Sequence, residues 1–512
     1  MNQIKRLAVA LPTSFPLLGL LLAGLFVPLR AADRPPNIIF VLADDLGWTD
    51  LACYGSKYYE TPNLDRLAAQ GMRLTNYHVS QNCAPTRGAL LSGQYSARTG
   101  MYTVGSTDRF DWSKRPLRPV DNVVNLPLDR DTFADQLKKA GYATGMFGKW
   151  HIGEGGPLHP AKRGFDEALV TMGLHYKFKV NPPTEYPADI YLADWLTDRA
   201  VDFIARNKDR PFLLYLPHFG VHTPLQAKAD LTAKFKGKPG VGGHNSPTFA
   251  AMIASVDESV GRVMAKLEEL KLAENTVVIF SSDNGGVGGY DRPDGLIREP
   301  GYEAKVKKAK AADEEESGGG ITDNTPLRSG KGSLYEGGVR VPFIVRWPGK
   351  VAAGAALGTP TAHVDLFPTL LELAGAAKPR QVLDGESLLP LLIGKSSALK
   401  RDAIFQHFPG YLGSGPGLWR SLPVSLVQMG DWKLMEFLED GHLELYNLKD
   451  DLGETKNLAA TNPEKAKELH ERLIAWRKST NAPMPTSSKA DAATNKAAPT
   501  APKVHAKDRG AM

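Results

Sequence analysis

Four oxygen-bearing side chains stand in two pairs at the ends of two apolar runs, Asp44-Asp45 after residues 37–43 and Asp283-Asn284 after residues 275–281. Runs of that kind read as buried strands, and open α/β sheets build their sites at the carboxyl ends of such strands. Four hard oxygen donors brought together suit Ca2+ or Mg2+. Either pair alone reads equally well as a turn or a helix cap; the two together point to a metal site. A second signal is Cys83, followed by Pro85, Arg87 and Gly88 and then by apolar Ala89, Leu90 and Leu91. This places the cysteine at a helix N-terminus, where amide donors and the helix dipole favour an anion. Arg87 falls one turn further on, able to face the same anion or to hold the reacting group. The plainer alternative is a buried thiol beside a surface arginine.

Strands and helices that position these residues alternate along the chain. Residues 37–43, 143–147, 211–216 and 275–281 read as strands, and 133–140, 189–207 and 248–270 as helices, with a short helix starting at Thr61-Pro62. In 248–270 the apolar residues Phe249, Met252, Ile253, Val256, Val260, Val263, Met264 and Leu267 form one stripe, which is core packing. The order predicts an α/β fold with a large, mostly parallel or mixed sheet flanked by helices on both faces. From about residue 396 short strands precede a closing helix at 463–478. The expected domains are therefore a catalytic domain, 33–395, and a C-terminal α+β domain, 396–483, with a short antiparallel sheet. A charged, Gly-rich stretch at 298–324 reads as a surface insertion bordering the site. Residues 484–512 are Ala, Thr, Pro, Lys and Ser, and read as a disordered tail.

Composition narrows the function. The 512 residues carry a formal charge of +6, yet residues 1–32 hold Lys5, Arg6 and Arg30 with no acid, and residues 484–512 hold five Lys/Arg against two Asp. The body between them is neutral, so charge gives no argument for a nucleic-acid partner. Lys5 and Arg6, an apolar run from Leu7 to Leu29, and small Ala31 and Ala32 read as an export signal over residues 1–32. The expected location is periplasmic or extracellular. After signal removal no membrane span is expected, since no later stretch approaches the roughly 20 apolar residues that a span needs. Two cysteines in an exported chain, Cys53 and Cys83, read by default as a disulfide.

The Cys83, Pro85, Arg87 spacing resembles the signature of the sulfatase family in the alkaline-phosphatase superfamily. Four further blocks occur in that family's order: Asp44-Asp45-Leu46-Gly47, Gly148-Lys149-Trp150-His151, Ser282-Asp283-Asn284-Gly285, and residues 330–340 from Gly330-Lys331 to Val339-Arg340. The likeness runs over roughly residues 36–460.

That resemblance implies a hydrolase of sulfate monoesters. It implies that a formylglycine-generating maturation enzyme oxidises Cys83 to Cα-formylglycine (3-oxoalanine). One hydroxyl of the hydrate attacks sulfur and the other lets the sulfated intermediate collapse. It implies Ca2+ held by Asp44, Asp45, Asp283, Asn284 and the modified Cys83. It makes Lys149 and Lys331 sulfate-binding cations, gives His151 a part in the collapse, and leaves Arg87 holding the nucleophile. His222, in preference to His218, becomes the general acid, together with Lys331, and a contact to the bound sulfate. If Cys83 is converted, the disulfide is excluded and Cys53 becomes a small buried residue. His159, His363 and Asp365 are left to the scaffold; Tyr176, Lys177, Trp419 and Arg420 are unassigned aromatic and basic positions near a possible sugar. The expected substrate is a sulfated carbohydrate in preference to a small sulfated molecule. A phosphodiesterase or phosphonate hydrolase on the same scaffold, or a protein that only binds sulfated glycans, stand as alternatives.

Overall fold

Along the first apolar run, Ile38, Phe40 and Leu42 face one helical layer while Ile39, Val41 and Ala43 face another. An unbroken apolar strand needs this cover, because both of its faces would otherwise meet water. The computed structural model describes residues 34–488 apart from 154, 291–294, 300–320 and 416. The chain divides at Arg34 into a short leading unit and the unit Pro35–Met512, which holds every element below.

Nine strands make the central sheet: β1 (Asn37–Ala43), β2 (Met72–Leu74), β3 (Ala143–Gly148), β4 (Glu167–Met172), β5 (Lys179–Asn181), β6 (Phe212–Pro217), β7 (Thr276–Ser282), β8 (Phe343–Arg346) and β9 (Ala355–Leu357). Their order is β9-β2-β8-β7-β1-β6-β3-β4-β5. The five from β7 to β4 run parallel, whereas β8 is antiparallel to β7 and β5 to β4. The helices are α1 (Pro62–Ala69), α2 (Cys83–Ser92), α3 (Phe133–Lys139), α4 (Leu192–Arg206), α5 (Ala229–Phe235), α6 (Pro247–Glu269), α7 (Leu366–Ala374) and α8 (Pro463–Thr480). Residues of α1, α4, α5 and α6 build one core; residues of α2, α3 and α7 build the other. The α6 stripe expected from its spacing is buried throughout, from Phe249 to Leu267.

Four antiparallel strands in sequential order, β10 (Ala403–Phe408), β11 (Val424–Met429), β12 (Trp432–Phe437) and β13 (Leu443–Asn447), form the smaller C-terminal sheet. Leu469, Leu473 and Trp476 of α8 pack on it. The expected signal segment, most of the insertion (300–320) and residues 489–512 of the expected tail lie outside the described residues. Of that tail's beginning, Thr486–Ser487 pairs with Leu117–Arg118 as a short antiparallel ribbon. Backbone pairing needs no apolar side chain, so polar composition gave no sign of it. Among the described residues no helix is long and apolar enough to cross a membrane.

Register fixes the site. Ala43 stands beside Ser282 and Leu42 beside Pro217, so the next residues of β1, β7 and β6 emerge together at one edge. Gly148 ends β3 at φ +134, where a Cβ would lie 1.9 Å from Pro217 O. Only glycine lets the chain turn there and deliver Lys149, whose N–H donates to the same Pro217 O at 2.7 Å. Gly148→Ala is expected to lower the stability measured by urea unfolding by about 2 kcal/mol or more and to remove hydrolytic activity. A wild-type midpoint with retained activity would show that β3 and β6 can part without disturbing the site.

Candidate active site

Asp44 and Asp45 leave β1 at the sheet edge and are buried. Asp44 Oδ2 accepts from Lys149 Nζ at 2.5 Å and lies 3.8 Å from Arg87 Nη2. Asp45 has φ +64, a left-handed conformation that turns its carboxylate across the strand ends. Its Oδ2 accepts from Lys331 Nζ at 2.7 Å and its Oδ1 from Asn284 Nδ2 at 2.8 Å. Burial pushes the Asp45 carboxyl up, but Lys331, His222 and Lys149 together hold it below the ordinary carboxylate range.

Asp283 and Asn284 follow β7. Arg87 donates to Asp283 Oδ2 from Nε at 2.9 Å and from Nη2 at 2.6 Å, and Nη1 donates to Lys149 O at 2.6 Å. Burial, with the neighbouring Asp44 charge, raises the Asp283 carboxyl to about 6 against the pull of Arg87. Cys83 is the first residue of α2 and is 1% exposed. Burial raises its thiol to about 11, although Lys149 and Lys331 draw it down. Both cysteines are free thiols, so the default disulfide is not formed. Cys53 is partly buried at the rim of a core.

His222 Nδ1 lies 2.7 Å from Thr223 O. A carbonyl only accepts, so Nδ1 carries a hydrogen, and Nε2 is the nitrogen that faces Asp45 Oδ2 at 3.6 Å. Burial lowers this ring to about 4, with Asp45 opposing. His218 is buried, with its Nε2 against Ser259 Oγ at 3.0 Å, whereas His222 Nε2 faces the Asp45 carboxylate. His151 has φ +63, and its buried Nδ1 has no hydrogen-bond partner. Burial, then Lys149, Arg87, His222 and Lys331, holds its pKa well below the usual value. Every residue expected from the sequence is thus drawn to one sheet edge.

The donor set fits a divalent cation. One ligand atom each from Asp44, Asp45, Cys83 and His222 lies within 4.8 Å of the others. Asp44 Oδ1 and Asn284 Oδ1 are buried oxygens without a hydrogen-bond partner. Buried oxygens left in this way are costly unless something positive meets them. Asp283 differs from the expectation in its surroundings: both its oxygens are engaged, one by Arg87 and the other by the Asp45 N–H at 3.2 Å.

No motif points to His175, whose Nε2 lies 2.8 Å from His222 O and whose ring stacks on Tyr191 and packs at a tilt against Phe219. Nor does any mark Glu336 as a clamp on the Lys331 loop, where that buried carboxylate accepts from Lys433 Nζ of β12 at 2.8 Å. Neither contact has a local spacing that could be read in advance.

The Sulfatase family profile matches residues 36–376, which spans the central sheet and every residue of this site. The chain belongs to the sulfatase family. It is a sulfuric ester hydrolase of the alkaline-phosphatase superfamily. A second profile, N-sulphoglucosamine sulphohydrolase, C-terminal, matches residues 330–479. A sulfatase from Formosa agariphila is 35% identical over 91% of this chain and 94% of its own. N-acetylgalactosamine-6-sulfatase of Canis lupus familiaris is 34% identical over 75% of this chain and 71% of its own. Among solved structures, Ps i-CgsB in complex with k-i-k-neocarrahexaose aligns with a TM-score of 0.69 at 28% identity, covering 86% of this chain and 93% of that one. A phosphonate monoester hydrolase from Silicibacter pomeroyi shares the fold, with a TM-score of 0.59 at 18% identity, covering 87% of this chain and 96% of that one.

Arg87 is fully buried against Asp283. Arg87→Leu is expected to cost about 3–5 kcal/mol in urea unfolding of chelator-treated protein, because it leaves a buried carboxylate unpaired. A loss under about 1 kcal/mol would show that Asp283 takes up a proton or rearranges at little cost.

Proposed function

We propose that this sulfatase hydrolyses sulfate monoesters of carbohydrates outside the cytoplasm, with Cys83 as the precursor of its nucleophile. The observation that carries the reading is the enclosure of Cys83 by Lys149, Lys331, Arg87 and the carboxylates, a pocket of paired charges closed over a single reactive position. Oxidised by a maturation enzyme to Cα-formylglycine, Cys83 would supply a geminal diol, one hydroxyl for attack at sulfur and one for later release of sulfate. Ca2+ held by Asp44, Asp45, Asn284 and the modified Cys83, with Asp283 beside them, would lower the pKa of that diol and offset charge on the sulfuryl oxygens.

The chain's own residues do the rest. Lys149 and Lys331 are fixed by carboxylates on one side and can present their remaining N–H groups to sulfate oxygens. Arg87 ties Asp283 to the backbone at Lys149, so the α2 end and the β3 end hold one geometry. His222 places Nε2 at the pocket, held there by Thr223 O and by His175 behind its carbonyl. A sulfate ester brought beside it adds negative charge, which favours the protonated ring and suits it to give a proton to the departing alcohol. His151, whose Nδ1 has no hydrogen-bond partner, is held neutral first by burial and then by the surrounding cations; the negative charge of a bound sulfate would offset those cations and let the ring accept a proton during sulfate release.

The carbohydrate reading is supported by relatives, one a hexosamine 6-sulfatase and another solved with a neocarrahexaose. An export signal at residues 1–32 accords with a periplasmic or extracellular site of action. A phosphonate or phosphodiester hydrolase has the same scaffold behind it, shared with a phosphonate monoester hydrolase at 18% identity.

Mass spectrometry of the peptide from Gln81 to Arg87, in protein made with a maturation enzyme, is expected to show the thiol converted to aldehyde. A quantitative free thiol in active protein would overturn the nucleophile. His222→Ala is expected to slow a sugar sulfate by about 10²- to 10⁴-fold, because an alkoxide needs a proton to leave. An aryl sulfate with an acidic phenol should lose only about 10-fold; equal losses would count against His222 as the acid.

A further inference from the structure

Two arginines flank the place where the Cys83 and Lys331 segments meet, and neither has an ion-pair partner among the described residues. The segments are joined by Gly332 N–H donating to Gln81 O at 2.7 Å. On one side, Arg109 Nη2 donates to Thr103 Oγ1 at 3.1 Å, and the same hydroxyl accepts from Asn82 Nδ2 at 3.4 Å. The Arg109 guanidinium is therefore two hydrogen bonds from the residue before Cys83. On the other side, Arg420 lies across Tyr290, its guanidinium carbon 4.7 Å from the ring centre, and the Tyr290 hydroxyl donates to Lys331 O at 2.6 Å. A Cβ on Gly332 would come within 2.9 Å of Arg420 Cδ, so this side chain rests on the residue after Lys331.

Three features show a pair prepared for an anion. Arg420 Nε is buried with no hydrogen-bond partner among the described residues. Both guanidinium groups are backed by an aromatic ring, Arg109 by Phe110 at 4.7 Å, which fixes their planes and reduces the entropy lost on binding. Arg109 is exposed at the surface and Arg420 is half-buried; partial desolvation and the Arg420 charge lower the Arg109 guanidinium, while Cys83 opposes them. Two cations in mutual reach repel until a negative group joins them, and a guanidinium fork matches a sulfate or carboxylate through two parallel bonds.

We propose that Arg109 and Arg420 form a second anion subsite beside the scissile sulfate, so that the preferred substrates carry a further anionic group on the same or the adjacent sugar. This rests on the sulfatase reading and adds to it the class of substrate. The shared chemistry is an oxyanion, either a second sulfate ester or a uronate carboxylate.

The test compares three disaccharides, one singly sulfated, one disulfated, and one with a sulfate and a uronate, on wild type, Arg109→Gln, Arg420→Gln and Arg420→Lys. Turnover is read as kcat/KM, and binding is read by calorimetry with the same sugars. For wild type, at least one doubly anionic sugar is expected to be preferred. In both Gln variants that preference should fall about 10-fold or more, chiefly through KM, with partial recovery in Arg420→Lys. Whichever sugar loses its advantage identifies the second group. A preference unchanged in the variants, or a uniform loss on all three sugars, overturns the subsite. A wild type that hydrolyses none of them but binds the doubly anionic sugars through these arginines would count against these sugar sulfates as substrates and leave the subsite standing.

Discussion

Three carboxylates, Asp44, Asp45 and Asp283, are held out of water at one sheet edge, and the surrounding structure answers the cost of keeping them there. An isolated buried carboxylate would be neutralised by protonation, as the upward shift at Asp283 shows in part. Arg87, Lys149 and Lys331 each bring one cation to one of the three acids. The balance is local and geometric: Arg87 and Lys149 are buried, Lys331 is partly so, and all three are hydrogen-bonded, so moving one leaves a buried carboxylate without its partner. Cys83 sits among them, and an anionic sulfate entering there meets donors that are already aimed.

Each of those cations arrives on a different piece of chain, which explains the extent of the fold needed. Arg87 comes from α2 below the sheet, Lys149 from the glycine turn after β3, and Lys331 from a loop that the central sheet does not hold by itself. That loop is tied to the C-terminal sheet through Glu336, which meets His78 Nε2 at 3.0 Å, Arg340 Nη1 at 3.3 Å and Lys433 Nζ at 2.8 Å. Lys433 also meets Glu454 at 2.8 Å, whose carboxyl burial and the Glu336 charge raise to about 7. The smaller sheet therefore works as a brace for the loop that carries Lys331.

Much of this was legible in the chain. The two acidic pairs were readable because apolar strands announce themselves and parallel sheets open at their carboxyl ends, and the register of Ala43 with Ser282 made the pairs neighbours. The helix beginning at Cys83 followed from its proline and the apolar residues after it. His222 was preferred to His218 only through the resemblance, since two histidines four residues apart differ in surroundings that no local spacing records. His175, the clamp at Glu336 and Arg109 were silent, because their partners lie far along the chain and no period or spacing records a contact of that kind; Arg420 stood out only as a basic residue beside an aromatic one. The ribbon at Thr486–Ser487 was hidden for a different reason, being made by backbone alone.

The account turns on Cys83 being the origin of the reacting group inside a cation-dependent pocket. Ion chromatography of sulfate released from a chromogenic aryl sulfate tests this most directly, with wild type and Cys83→Ala both made alongside a maturation enzyme and assayed with and without chelator. The account requires stoichiometric sulfate from wild type, suppressed by chelator and restored by Ca2+, and none above background from Cys83→Ala. Sulfate release by Cys83→Ala at the wild-type rate would contradict it.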